Sequence, residues 1–223
     1  GRNRYSFQLY EQGGPGSMDG GTIEAAGGVV CVTAAGDPLK TAITDKDGTA
    51  LTNPRALTRG ACEFYTADTV TSVDLFIQCP GGQFVVAAGV TPNAQDIGVD
   101  LERTLQQIVI PVHITDYPAA VETDTGFDEP ANVVFQPDGM GARIRVTAID
   151  ATETLDVGTT TDPDGFMSAV AVGVLGIVLD NGALLGTLAG HISTSEAIKI
   201  TTTAGSDTVE GYVYLNYILF NSP

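Results

Sequence analysis

The sequence has no tryptophan, three cysteines, two histidines and ten Lys or Arg residues in 223. Each shortage closes off a class of function. Ten cations against 27 Asp and Glu give a formal charge of −17, which repels phosphate backbones and anionic bilayers, so neither nucleic acid nor membrane is expected as a partner. Without tryptophan, the aromatic platforms that usually accompany a paired-carboxylate glycosidase are missing. His113 and His191 stand far apart, each without a neighbouring Cys or His at metal-ligand spacing, and no metal site is expected. Ser17, preceded by Pro15 and Gly16, makes no nucleophile elbow, and no Walker or dinucleotide glycine motif occurs. The expectation is a non-enzyme with no cofactor.

Cys31, Cys62 and Cys79 share no ligand spacing and are odd in number. Their count leaves two arrangements: three buried thiols, suited to assembly in a reducing cytosol, or one bridge between Cys62 and Cys79. The longest apolar run, Ala169 to Leu179, is interrupted by Gly173 and Gly176 and falls short of the roughly 20 residues a bilayer span needs. No N-terminal segment combines a charged start, an apolar centre and a small-residue cleavage site.

What is present is core material: 43% of the residues are hydrophobic and only 17% charged. The carboxylates are scattered, as in a solvated shell, and form no block. Residues 1–28 are glycine-rich beyond Glu11 and read as an extended arm carrying Arg2, Arg4 and Tyr5, a basic docking element on an acidic body. From Val29 onward, short β-branched runs recur with turn chemistry between them. Strands are expected at 29–33, 39–44, 63–67, 73–78 and 83–88, with turns at Asp45–Gly48, Asn53–Pro54 and Pro80–Gly82. The stretch from Asp96 to Gln107 is the least β-like and reads as a short helix or linker.

A domain boundary is placed there, giving a β domain over 29–103 and a second over 104–223. In the second, strands are expected at 108–114, 133–136, 142–149, 166–172, 177–179, 197–203 and 209–220, with a polar loop over 116–130 and a helical turn over 183–189. Pro111 confines its strand to an edge or a bulge. Alternation along Arg143–Thr147 leaves one face for solvent or a partner, and alternation along Tyr212–Leu215 puts Tyr212 and Tyr214 on one side, against a neighbouring strand or subunit. Asp45/Asp47 and Asp162/Asp164 offer paired oxygens before a glycine, but Thr49 and Phe166 stand where a calcium loop needs its next ligand, so both read as turns. The fold class expected is all-β: two sandwich or barrel-like domains, preceded by a glycine-rich N-terminal arm.

Residues 39–65 resemble a module of tailed-phage head and tail appendage proteins, through Leu39, Thr41, Asp45, Gly48–Thr49, Asn53–Pro54, Gly60 and Phe64–Tyr65. Residues 155–217 resemble the C-terminal domain of tailed-phage capsid decoration (cement) proteins. Leu155–Gly158, Asp164–Phe166, Ile198–Thr201, Gly205–Thr208 and Gly211–Tyr214 follow one another in that family's order. The resemblance implies a jelly-roll-like C-terminal sandwich, often trimeric, on the outer surface of a phage head assembled in the host cytoplasm. It brings no catalytic residues. The partners it implies are the major capsid protein and other copies of the chain. The partner-binding residues expected are Arg2, Arg4, Tyr5, Arg55, Arg59, Tyr212 and Tyr214. The alternative is a tail, baseplate or receptor- and glycan-binding appendage module on the same scaffold.

Overall fold

The structure is a computed structural model and describes residues 1–12, 20–99, 105–131, 133–135, 142–148, 153–179, 195–203 and 209–219. The fold is all-β. The chain divides into two compact units, Gly1–Arg103 and Thr104–Pro223. Among the described residues there is no α-helix, and so none long and apolar enough to cross a membrane.

Unit 1 holds β1 (Arg2–Glu11), β2 (Val29–Ala34), β3 (Ile43–Thr44), β4 (Ala50–Leu51), β5 (Arg55–Ala56), β6 (Ala61–Ala67), β7 (Val73–Gln78), β8 (Phe84–Val90) and β9 (Asn93–Val99). They form two sheets, in the orders β4-β3-β6-β1-β9 and β5-β2-β7-β8. Tyr5, Phe7 and Leu9 of β1, Phe64 of β6 and Ile97 and Val99 of β9 share one core with Val30 and Val32 of β2 and Val73, Leu75 and Ile77 of β7. The two sheets therefore pack face to face as a sandwich.

The expected N-terminal arm does not hold for residues 2–11. They form β1, an interior strand paired antiparallel with β6 and parallel with β9. Tyr5, Phe7 and Leu9 alternate with more exposed Arg4, Ser6 and Gln8, which is the pattern of a half-buried strand. The expected helix or linker from Asp96 is corrected as well, since β9 runs through Val99 and β10 resumes at Leu105. Ile97 and Val99 are spaced for a strand face, and the partner that makes them one is β1, far back in the sequence. Of the strand expected over 39–44, only Ile43–Thr44 is regular, with an isolated bridge between Thr33 and Lys40.

The turns follow the side-chain chemistry. Asp45 Oδ1 accepts from the backbone N–H of Asp47 at 2.9 Å and of Thr49 at 2.8 Å, closing the β3–β4 hairpin. Asn53 acts as a piece of strand. Its Nδ2 donates to Val32 O at 2.7 Å and Thr41 O at 2.8 Å, and its Oδ1 accepts from Val32 N at 3.0 Å, ahead of a cis peptide to Pro54. The buried Asp74 carboxylate accepts from Gly36 N at 2.8 Å and from Gly89 N at 2.7 Å, fastening two chain reversals to β7.

Unit 2 holds β10 (Leu105–His113), a 3-10 turn (Ile114–Asp116), β11 (Thr123–Asp128), β12 (Val133–Phe135), β13 (Ala142–Ala148), β14 (Thr154–Thr159), β15 (Met167–Ala171), β16 (Gly176–Leu179), β17 (Ala197–Thr202) and β18 (Glu210–Leu219). One sheet runs β10-β18-β13-β16, with β12 also paired to β18, and the other runs β11-β17-β14-β15. Phe135 of the first sheet meets Phe166, which leads into β15 of the second, at a ring-centroid distance of 4.6 Å. Tyr217, in register with Phe135 on β18, has its ring 5.9 Å from it. Pro111 lies on β10, the last strand of its sheet, where a missing N–H is tolerated.

Gly158 and Gly211 are set by space. A Cβ on Gly158 would stand 2.0 Å from Asp162 O, and one on Gly211 would stand 2.3 Å from Arg145 O. The polar loop expected over 116–130 contains β11, an edge strand that turns only Thr125 and Phe127 fully inward and so has few apolar letters. The strand β14 was anticipated only as a motif. The expected turns at 137–139, 180–182 and 205–207 and the helical turn at 183–189 lie outside the described residues.

Cys31, Cys62 and Cys79 are all buried and no disulfide joins them, so the bridge between Cys62 and Cys79 is not formed. Burial pushes the Cys62 thiol up to about 11 and the Cys79 thiol up to about 12.

Two expectations follow. Tyr5 is 1% exposed, stacks on Phe64 at 5.3 Å and donates its hydroxyl to Val70 O at 2.9 Å. Tyr5→Ala should therefore destabilise unit 1 by about 3–5 kcal/mol, read from urea titration; a loss under 1 kcal/mol would return β1 to the status of a loose arm. For the thiols, the folded state keeps its protons to higher pH than the unfolded chain, whose thiols titrate near 9. Stability is then full below pH 9 and declines as pH rises toward 11–12, by about 1.4 kcal/mol per pH unit for each thiol. Urea midpoints across alkaline pH should fall less steeply in a Cys62→Ala, Cys79→Ala variant, and an unchanged slope would contradict this linkage.

Candidate functional site

The residues expected to bind partners separate into three groups. Arg2, Arg4 and Tyr5 share β1, and each has a hydrogen-bond partner within the chain. Arg2 donates from Nη1 to Asp45 O at 3.2 Å, bracing the β3–β4 turn. Arg4 donates from Nε and Nη2 to Glu63 Oε2 at 3.1 and 2.6 Å. That hydrogen bond and charge raise the Arg4 pKa and hold the Glu63 carboxyl below its ordinary value. Both groups are exposed, so the pair contributes little to stability. Tyr5 belongs to the core, and its expected role at an interface is withdrawn. Placing its ring on an interior strand leaves no surface to offer.

Arg55 and Arg59 flank the approach to β6. Arg55 is half-buried, and its Nε is buried without a hydrogen-bond partner. Its positive charge pulls the Cys62 pKa down, against the larger upward effect of burial. Arg59 is exposed and adopts a left-handed backbone with φ of 50°. Its carbonyl accepts from Gln8 Nε2 at 3.2 Å.

Tyr212 and Tyr214 lie half-buried on the outward face of β18, alternating with buried Val213 and Leu215. Pro111, Tyr212 and Arg145 stand in register across three strands, and Arg145 pairs onward with Ile177 of β16. Directly opposed residues share a sheet face, so these side chains lie on one side of the sheet, with Pro111 buried and Tyr212 half-buried. Arg145 is exposed and Ile177 is 65% exposed, while Val174 and Leu175 in the β15–β16 connection are 68% and 61% exposed. Arginine and tyrosine are among the residues that concentrate at protein interfaces. Tyr217 takes the opposite face and is buried, so the tyrosine cluster divides by parity. Arg145 and Ile177 were not among the expected partner residues. The alternation along Arg143–Thr147 carried the signal for Arg145.

The remaining sequence candidates resolve individually. Asp45 spends its carboxylate on backbone donors, chiefly the Thr49 N–H, which lowers its pKa. Asp162 accepts at its carbonyl from Thr159 N at 2.8 Å and Gly165 N at 3.1 Å, as a turn residue does. His113 Nε2 lies 3.4 Å from Glu210 Oε1, and its Nδ1 is 2.6 Å from Thr115 Oγ1. Among the described residues no group of three His, Cys, Asp or Glu side chains is placed to hold a metal. Ser17, His191 and Phe220 lie outside the described residues.

No protein-family model and no curated protein matches the chain. Among solved structures, it is similar to the full-length RrgB pilus protein from Streptococcus pneumoniae, with 12% identity and a TM-score of 0.25 over 97% of this chain and 45% of that one. It is also similar to a variant of BcpA, the major pilin subunit of Bacillus cereus, with 7% identity and a TM-score of 0.21 over 100% of this chain and 60% of that one. The chain thus spans about half the length of the pilus proteins it matches. Superpositions this loose carry no argument about what it does.

Proposed function

We propose that this chain is a non-catalytic capsid decoration protein of a tailed phage, which binds the outer surface of the major capsid protein lattice and stabilises the head. The observation that carries the reading is the order of the decoration-protein motifs from Leu155 to Tyr214. Leu155–Gly158 fall in β14, Ile198–Thr201 in β17 and Gly211–Tyr214 in β18, with Phe166 leading into β15. Two of the motif glycines, Gly158 and Gly211, sit where a Cβ would collide with backbone. The motif therefore selects for a packing geometry as well as for turn composition.

The physical role follows from the surfaces. A protein that clamps lattice subunits works by adding buried area at each seam, on the order of 1,200–2,000 Å² for a stable contact. A rigid sandwich suits this because its faces lose little entropy on docking. The acidic surface, at a formal charge of −17, disfavours the packaged nucleic acid as a partner and suits an outward position on the virion. A homotrimer around a capsomer junction is the assembly this reading predicts.

Cryo-microscopy of intact particles tests the proposal. Density for the chain should stand at capsomer junctions with local threefold symmetry, and heads lacking the protein should release their contents at lower temperature. Recovery of the chain only from infected-cell cytosol, with none on particles, would remove the proposal; density confined to the tail would replace it with an appendage role.

A further inference from the structure

Unit 2 turns two unlike faces outward. On the β10-β18-β13-β16 sheet, the surface around β13 and β16 presents Arg145 in register with Ile177 and Tyr212, and exposed Val174 and Leu175 come just before β16 in the chain. Arg145 takes part in no ion pair among the described residues, on a chain with 27 carboxylates for ten Lys and Arg. The outward face of the β11-β17-β14-β15 sheet is its opposite. It carries Asp124, Asp128 and Asp156, with Glu122 beside them, against Lys199, and Lys199 is already held by Glu122 at 2.7 Å. Its other outward residues are small, Thr154, Ala169, Ala171 and Thr201, so the surface is low and open to approach.

Four carboxylates, Glu122, Asp124, Asp128 and Asp156, against Lys199 leave the second face with excess negative charge. The Asp128 pKa is raised by burial and then by the neighbouring Asp124 carboxylate. A cation approaching this face relieves that repulsion, and among the described residues Arg145 is an exposed cation without an ion pair, in register with Ile177 and Tyr212. An arginine set among aliphatic and tyrosine side chains gains most when it meets a carboxylate with water excluded.

We propose that unit 2 binds a second copy of this chain head to tail, the Arg145 face of one copy against the Asp124–Asp156 face of the next. A twofold contact between like faces would set Arg145 near its own copy and carboxylate against carboxylate, so complementarity favours the heterologous arrangement. Heterologous contacts leave one unused face of each kind at the ends, and they close into rings or extend according to the rotation per step. The inference is argued from unit 2 alone; it names the faces of a self-contact, which the homotrimer of the proposed function also requires, and it needs no capsid to be tested.

Sedimentation velocity of the full chain across a concentration series, at low and high salt, tests it. The wild type should sediment as species larger than the monomer, and high salt should weaken the association. Arg145→Glu on one face and Thr201→Arg on the other should each weaken it more than about tenfold, because each sets like charges together. An equimolar mixture of the two variants should form a 1:1 dimer, since one retains its acidic face and the other its arginine face. Far-ultraviolet circular dichroism checks folding, and Ile177→Glu and Ala171→Arg serve as second variants on the respective faces. A wild type that is monomeric throughout, a variant that associates like the wild type, or a mixture that stays monomeric overturns the head-to-tail contact.

Discussion

The pairing of β1 on both edges is the constraint on which unit 1 depends. Its antiparallel ladder with β6 and its parallel ladder with β9 join the first and last strands of the unit through one interior element. The buried ring of Tyr5 lies on Phe64 within that element, and its hydroxyl reaches Val70 O. With β1 removed, β6 and β9 would each lose their main neighbour in this sheet, and the core would lose Tyr5, Phe7 and Leu9. The cations of β1 then serve the same end: Arg2 braces a hairpin and Arg4 lies along Glu63.

Unit 2 is organised around a different hub. The strand β18 is paired along its whole length by β10 on one side and, in succession, by β13 and β12 on the other. Its inward residues Val213, Leu215 and Tyr217 are buried, and Gly211 lets β13 approach where a Cβ would not fit. A strand fixed on both edges and one face has only its second face left for partners. Tyr212 and Tyr214 lie half-buried on that face.

Much of this was legible in the sequence, and the exceptions have physical causes. The strands β2, β6, β7 and β8 announce themselves as β-branched or aromatic runs between glycine, proline and aspartate turns, and β13 by its alternation. The strand β1 was hidden because the glycines beyond Glu11 made the whole segment look structureless, although Tyr5, Phe7 and Leu9 alternate cleanly. The strand β9 depends on a parallel partner that local pattern cannot supply, and β11 is an edge strand with too few apolar letters. At the candidate surface, parity separated Tyr212 and Tyr214 from inward Tyr217, whereas the exposure of Val174 and Leu175 was masked. The apolar run that contains them spans a strand, a connection and a second strand, and hydrophobicity alone does not tell core from surface.

The parallel pairing of β1 with β9 has a mechanical meaning. Seven residue pairs, from Tyr5 with Asn93 to Glu11 with Val99, keep the two strands side by side and pointing the same way. The start of β1 and the end of β9 therefore lie at opposite ends of the ladder. A tension applied along the chain at those two points pulls the strands past each other, so the ladder is loaded in shear, its hydrogen bonds strained together and not opened one by one. The ladder between β1 and β9 thus meets a lengthwise pull with all seven of its residue pairs at once.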